Sequence, residues 1–486
     1  MTSPGEVEQN LTLQTMTTRE WPGGLQAVFA PAPETVLPET PGKETGEVRF
    51  NPARNEAIVS LGGEQKLSTE TYRRAGGALA RWLAKNNVAS AGVAVDSLPV
   101  FRVPYEAALN ALCEGLLLGA FQFSAYKSGE DKAANVTVSL LSESNISLVR
   151  RIAGRATLVC QAVNQTRAWA HEPPNVINLV TLAERVRDLA AGTNLKVTVL
   201  DDRQLEQLGA GALVAVGKGS NAPSRLILIE YPGKGSAKRS APIALVGKAI
   251  TFDTGGYTIK NSEGIVGMKY DKSGAMAVIG VLSAASRLGL RTPLVGVIAA
   301  AENMISGGAY HPDDILKSLS GKTIEIVSTD AEGRLVLADA LTYAQQAYNP
   351  RLVIDVATLT GGVVVALGSV RAGLLSNNTA LAECLFDAGE RTHERLWRLP
   401  LDDDYFEQIK GDDADIKNSG GRKAQPVIGG MFLKQFIGED VPWAHLDIPG
   451  VATLEKESPT CPKGATGFGV RLLIDYLETL EQEAEE

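Results

Sequence analysis

The stretch "APIALVGKAITFDTGGYTIK", residues 241–260, opens with apolar residues at successive rather than alternate positions, Ile243 to Val246. A strand of that kind is covered on both faces, as in a parallel sheet flanked by helices. It then runs into D-T-G-G, a turn composition. The same kind of strand recurs in "KVTVL" (196–200), "SRLILIEY" (224–231), "RTPLVGVIAA" (291–300), "TIEIV" (323–327) and "RLVIDVA" (351–357). Helical segments separate most of these runs, which predicts a mixed, mainly parallel sheet covered by helices.

Upstream, "LQAVFAP", "EAIVSLG", "AGVAVDSL" and "NVTVSLL" read as strands, and 68–86 and 103–121 as helices. The expected architecture is therefore α/β in two domains. A smaller N-terminal α/β domain spans 1–146, a long linking helix 147–172 ends at Pro173 and Pro174, and a larger catalytic domain spans 173–486. The first ~20 residues are polar and read as unordered. The tail from Leu473 reads as a terminal helix with an acidic end.

The whole chain of 486 residues is 44% apolar and 21% charged, normal for a globular protein with sizeable cores. A net charge of -9 without a basic block disfavours nucleic acid as the main partner. The N-terminus lacks a basic start and an apolar run, so no secretory signal is expected. The longest apolar stretch, 107–121, carries Glu114 and is too short to span a bilayer; it reads as a buried helix. Cys113, Cys160, Cys384 and Cys461 are scattered without C-x-x-C, which fits a reducing cytoplasm and argues against a disulfide framework or a thiolate zinc site.

Ligands of open α/β sheets bind beyond the carboxyl ends of the strands. Reading along those ends gives Lys248, where the strand 242–247 is expected to stop, then Asp253 and Lys260. Asp271 follows at the mouth of a helix. "STDAEGRLVL" (328–337) adds Asp330, Glu332 and Arg334, and "LVIDVATLTGG" (352–362) adds Thr358, Leu359 and Gly361. Four carboxylates in one cleft repel unless cations lie among them, and two divalent ions would balance four acids. Taken singly, each residue has a plainer reading. Asp253 in D-x-G-G is a turn residue, Asp330 and Glu332 are helix-start acids, and a lysine at a strand end is a solvated charge. Only their recurrence at successive strand ends favours a metal centre. Other chemistries fit poorly: there is no H-E-x-x-H and no G-x-S-x-G, and "GALVAVGKGS" fails the phosphate-loop spacing. His445 in "WAHLDI" reads as a hydrogen-bonded core histidine.

"VGKAITFDTGGYTIK", "MKYDKSGA", "STDAEGRLVLADAL", "DVATLTG", "WRLPL", "WAHLDIPG" and "ATGFGVRLL" together resemble the leucine (cytosol) aminopeptidases, in order and spacing, over roughly residues 165 to 475. The resemblance implies a dinuclear metallo-exopeptidase that releases N-terminal, leucine-like apolar residues from peptides. A metal-bridged water would attack the first peptide bond. It implies a homohexamer in the cytoplasm. One ion would take Lys248, Asp253, Asp271 and Glu332, the other Asp253, Asp330 and Glu332. Manganese or zinc is the first expectation for both ions, cobalt or magnesium the second. Lys260 and Arg334 would be catalytic without binding metal. A bicarbonate would lie near Gly333, Arg334 and Leu359, and Met268, Thr358, Leu359 and Gly361 would line the substrate pocket. Ser328, Asp313, Tyr257 and Pro449 depart from the family's usual residues and are expected to touch no ligand. Two competing readings are a non-catalytic architectural or DNA-binding hexamer and a different dinuclear hydrolase such as a phosphatase.

Overall fold

The structure, a computed structural model, describes residues 10–33, 40–128, 135–235 and 240–484. The chain divides into two compact units, one of residues 1–165 with 454–464 and one of 166–453 with 465–486.

The first unit is built on a six-stranded sheet. Its strands are β1 (Leu11–Met16), β2 (Leu25–Ala30), β3 (Val48–Asn51), β4 (Glu56–Ser60), β5 (Ser90–Ala94) and β6 (Val136–Leu141). All pairings are parallel except that of β3 with β4. The polar N-terminus was expected to be unordered. Residues 1–9 lie outside the described residues, but Leu11–Met16 pairs in register with β6 and buries Leu11. Helices Thr69–Lys85 and Tyr105–Gly119 cross backbone to backbone: a Cβ on Gly115 would lie 2.0 Å from the Arg73 carbonyl oxygen. At that crossing Arg73 and Glu114 form a buried ion pair of 2.8 Å. The apolar stretch 107–121 is thus a buried helix, as its composition suggests. The segment 454–464 belongs here because its Pro459 carbonyl packs against Gly77 and Gly119.

The division at Gln165/Thr166 lies inside the helix Ile146–His171 rather than at its ends. Both this division and the placement of 454–464 differ from the boundaries expected at 146 and 172.

The second unit centres on an eight-stranded sheet. It comprises β7 (Lys196–Leu200), β8 (Arg225–Tyr231), β9 (Ile243–Asp253) and β10 (Leu294–Asn303), with β13 (Leu352–Ala357), β14 (Ala372–Ser376), β15 (Leu396–Arg398) and β17 (Trp443–Asp447). A separate three-stranded sheet holds β11 (Ile315–Lys317), β12 (Thr323–Glu325) and β16 (Ile416–Lys417). The order of the large sheet is β15-β14-β17-β13-β9-β10-β8-β7. Its four central neighbours, β17, β13, β9 and β10, are mutually parallel. Their carboxyl ends therefore open on one side.

Two sequence expectations change here. β9 does not stop before Lys248 but continues to Asp253, because Ala249 and Ile250 stay apolar and β10 pairs along it as far as Asn303. "TIEIV" is not in the large sheet. Only its alternate residues Ile324 and Ile326 are buried, so it pairs at the periphery with β11 and β16.

Both faces of β9 are covered, as its composition requires. Ala244, Val246 and Ile250 share an apolar cluster with Leu335, Val336 and Leu341 of the helix Glu332–Tyr348. On the other face, Gly247 meets Ala275 of the helix Ser273–Leu288, where a Cβ would lie 2.6 Å from the Ala275 Cα. That helix also presses on β13 through Gly274, whose Cβ would sit 2.0 Å from the Val356 carbonyl oxygen. Gly274→Ala must push helix and strand apart. The expected loss is about 1–3 kcal/mol, read as a lower urea midpoint with an unchanged slope.

Candidate active site

Side chains from four segments meet beyond the ends of the parallel strands. Lys248 lies within β9 on the side of the helix Glu332–Tyr348, in line with Ala244 and Val246. Gly333 leaves it room: a Cβ there would stand 2.7 Å from Lys248 Cε and Nζ. Asp253 ends β9, and Gly255 follows at φ +82, a left-handed conformation that glycine adopts freely. The turn folds the Gly255 N–H back onto Asp253 Oδ1 at 2.8 Å. Asp271 caps a one-turn 3-10 helix, Met268–Tyr270, just before the helix Ser273–Leu288. Asp330 stands in the turn after β12, and Glu332 is the first residue of its helix.

Two ammonium groups bind these acids together. Lys248 Nζ lies 3.0 Å from Asp271 Oδ1 and 2.9 Å from Glu332 Oε1, and donates to the Thr358 carbonyl at 2.8 Å. Lys260 Nζ lies 2.9 Å from Asp253 Oδ2 and also donates to Asp330 Oδ1. Asp253, Asp330 and Glu332 each offer a carboxylate oxygen within 4.8 Å of the others'. Of these six groups all but Asp330 and Lys260 are buried; Asp330 remains exposed at the rim.

The electrostatics follow from burial and proximity. Burial raises Asp271 above the ordinary carboxylate range, with Lys248 opposing, and raises Asp330 to about 6, with Lys260 opposing. Burial and the neighbouring Glu332 raise Asp253 as well. Glu332 goes the other way, because Lys248 and Lys260 together outweigh its burial. For Lys248 and Lys260, burial favours the neutral amine, but the carboxylates around them outweigh it and hold both well above the ordinary lysine value.

Arg334 is buried, donates from Nη1 to the Asn418 carbonyl at 2.8 Å, and lies over the Phe432 ring, 5.9 Å from its centroid. Burial lowers its pKa to about 10. It does not hydrogen-bond the acids. Thr358 Oγ1 donates to Asp271 Oδ1 at 2.7 Å. The Leu359 N–H donates to Asp447 Oδ1 at 3.0 Å, and Gly361 begins a short exposed helix. Met268 is half-buried, three residues before Asp271. Ser328 was expected to touch no ligand, yet its Oγ accepts the Asp330 N–H at 3.2 Å. Tyr257 instead turns to the Ser306 carbonyl and stacks on His311.

Three residues that complete the site escaped the sequence reading. Asn303 ends β10 and donates to Asp253, and Asp447 ends β17 and holds the Leu359 and Thr360 N–H groups. Asn418 bonds the main chain of Val327 and Ser328 and receives Arg334. The first two were discoverable, being polar residues at the carboxyl ends of central strands; Asn418 carries no such signal. His445 pairs with Asp355 at 2.6 Å in the core, as its setting suggested.

A metal fits this donor set. Oxygen ligands dominate it, the acids converge, and one buried carboxylate oxygen, Glu332 Oε2, has no hydrogen-bond partner, while Asp271 Oδ2 has only the Lys248 ammonium, 2.9 Å away. A sheet whose central carboxyl ends carry such an acid and lysine cluster offers a site for divalent metal ions. Residues 164–474 match the cytosol aminopeptidase family's catalytic domain, and residues 49–130 match its N-terminal domain. The chain therefore belongs to the cytosol aminopeptidase family, whose members are metallo-exopeptidases. It is 44% identical over 447 residues to a probable cytosol aminopeptidase of Syntrophotalea carbinolica, covering 90% of this chain and 89% of that one. A probable cytosol aminopeptidase of Aquifex aeolicus is 42% identical, covering 86% of this chain and 84% of its own. Among solved structures, the bottromycin maturation enzyme BotP in complex with Mn superposes with a TM-score of 0.85 at 30% identity, over 94% of this chain and 99% of that one. Among the described residues no helix is long and apolar enough to cross a membrane.

The Gly333 contact yields a test. In Gly333→Ala the new methyl must displace the end of the Lys248 side chain, which can move without the backbone. Bound metal should fall while the circular dichroism spectrum stays that of the wild type; metal analysis after dialysis measures it.

Proposed function

We propose that the chain removes the N-terminal residue from peptides. In this reading Lys248, Asp253, Asp271, Asp330 and Glu332 hold two divalent ions, and Lys260 and Arg334 work beside them. The observation that carries it is the bonded network of those acids and two lysines, with one buried carboxylate oxygen, Glu332 Oε2, left unpaired. Divalent ions bound there would polarise the scissile carbonyl and make a water nucleophilic near neutral pH.

The chain's own residues supply the rest. Lys248 can ligate only as a neutral amine, so it must lose the proton that Asp271 and Glu332 now stabilise. Lys260 spans Asp253 and Asp330. When their charge is taken up by cations, its ammonium is free to donate to the oxygen that becomes negative as the carbonyl is attacked. Arg334 brings a positive charge into a buried place with its Nε unpaired, which supports its holding an anion such as bicarbonate. Thr358 and the backbone of Leu359, fixed by Asp271 and Asp447, would form the wall facing the first side chain, with Met268 and Gly361 at its edges. An apolar, leucine-like side chain is the expected preference. A free terminal amine is required, because it would complete the coordination that aligns the first peptide bond.

Two outcomes test this reading. Exhaustive chelation should abolish hydrolysis of leucyl anilide, manganese or zinc should restore it, and the N-acetylated anilide should show no turnover. Equal turnover of blocked and free substrates would refute the exopeptidase assignment, and turnover of a phosphate monoester instead would favour a different hydrolase. The second outcome concerns pH. Metal uptake displaces a proton from Lys248 throughout the neutral range, so apparent affinity should fall about tenfold for each unit by which the pH is lowered. Below about pH 7, where Asp271 also binds a proton, and again below about pH 6, where Asp330 does, the fall should steepen. Chelator competition between pH 5 and 8 measures the slope, and a flat profile would exclude Lys248 as a ligand.

A further inference from the structure

Asn303 ends β10 and is fully buried. Its Nδ2 donates to Asp253 Oδ1 at 2.8 Å and to the Thr329 carbonyl at 3.0 Å. The Gly255 N–H donates to that same Asp253 oxygen. Oδ1 is thereby committed to two donors, and Oδ2 is the oxygen left facing Lys260. The partners dictate the amide's orientation, since turning it over would set its oxygen against a carboxylate and a carbonyl. In the orientation they impose, the Asn303 Oδ1 is buried without a hydrogen-bond partner, beside Gly256, where a Cβ would lie 3.1 Å away. A buried, unpaired amide oxygen costs stability. Asn303 thus keeps an unfavourable contact on one side of its amide to make two bonds on the other. Its main-chain carbonyl meanwhile accepts from Thr254 N–H at 3.0 Å and from Thr254 Oγ1 at 2.9 Å.

One residue therefore bonds both segments that deliver acids to this part of the site: the end of β9 with Asp253, and Thr329, immediately before Asp330. We propose that Asn303 is a positioning residue of the metal centre. It turns Asp253 so that a single oxygen, Oδ2, faces the ions, and it sets the spacing between Asp253 and Asp330 through the Thr329 carbonyl. The inference rests on the ligand assignment given above. Tyr310 supplies the control, because its hydroxyl donates to the same Thr329 carbonyl at 2.9 Å. In Tyr310→Phe that carbonyl loses a buried donor while Asp253 keeps all of its own.

The test measures zinc and manganese affinity of metal-free protein by competition with a chromophoric chelator, and stoichiometry by metal analysis. Asn303→Leu fills a similar space without a donor. Its affinity should fall 10–100-fold, the usual effect of removing a partner that orients a ligand. Stoichiometry at saturating metal and the KM for leucyl anilide should stay at their wild-type values. Tyr310→Phe should keep nearly wild-type affinity. Normal affinity in Asn303→Leu, or an equal loss in Tyr310→Phe, would overturn the proposal. Should Asn303→Leu fail to fold, Asn303→Ser carries the same test, its hydroxyl being too short to span both acceptors. Asp253→Ala separates the two layers of inference. If it binds two ions normally, the ligand assignment itself fails. If it loses metal while the Asn303 variants do not, only the role of Asn303 fails.

Discussion

Everything in the second unit is arranged around a charge problem. Asp253, Asp271 and Glu332 are carboxyl groups removed from water, with Asp330 at their rim, and only Lys248 and Lys260 stand among them as cations. Four acids against two ammonium groups leave two negative charges uncompensated when all are ionised. Arg334, whose hydrogen bond goes to a carbonyl, offsets part of this only through space, beside Glu332 and Asp447. Burial accordingly pushes Asp253, Asp271 and Asp330 toward the protonated form. A fold does not bury such a group for stability, because an apolar cluster of the same volume would be more stable. The excess negative charge is the property that makes the place attractive to divalent cations.

The scaffold bears that strain through close contacts. Gly247, Gly274 and Gly333 each remove a side chain where the backbone of β9, β13 or the Lys248 side chain must come within van der Waals reach. The two helices that follow Asp271 and start at Glu332 are buried through their first turns. Each acid is therefore attached to a segment that cannot shift without opening the core. Asp330 is the exception. It is carried on a turn fixed by Ser328, Thr329 and Asn418 rather than by packing.

Much of this was legible in the chain. The unalternating run 243–246 predicted a strand buried on both faces, and the acids at successive element ends predicted the cluster. The motif "TDAEGR" tied them to a family. What failed to show was of two kinds. Where a strand stops is set by its neighbours, so Lys248 looked terminal although β10 continues beside it to Asn303. Pairings between distant segments leave no local mark, so neither Asn418 nor the peripheral placement of β12 could be read, although the alternation of Ile324 and Ile326 hinted at the latter. The φ of 74 at Asp313, a conformation that glycine adopts without penalty, left no mark in the sequence either.

The return of residues 454–464 to the first unit bears on how the polypeptide is made. Pro459 fills the groove between Gly77 and Gly119, and Glu457 pairs with Arg81 at 3.0 Å. Synthesis proceeds from the amino terminus, so the six-stranded sheet and its helices emerge before the second unit, yet the segment that closes them follows only after residues 166–453. The nascent first unit must wait, with its glycine groove open, until residues 166–453 have been translated. A fragment cut at the division inside the long helix would lack that closing piece permanently, and the second unit cannot be produced alone without a splice across the excursion.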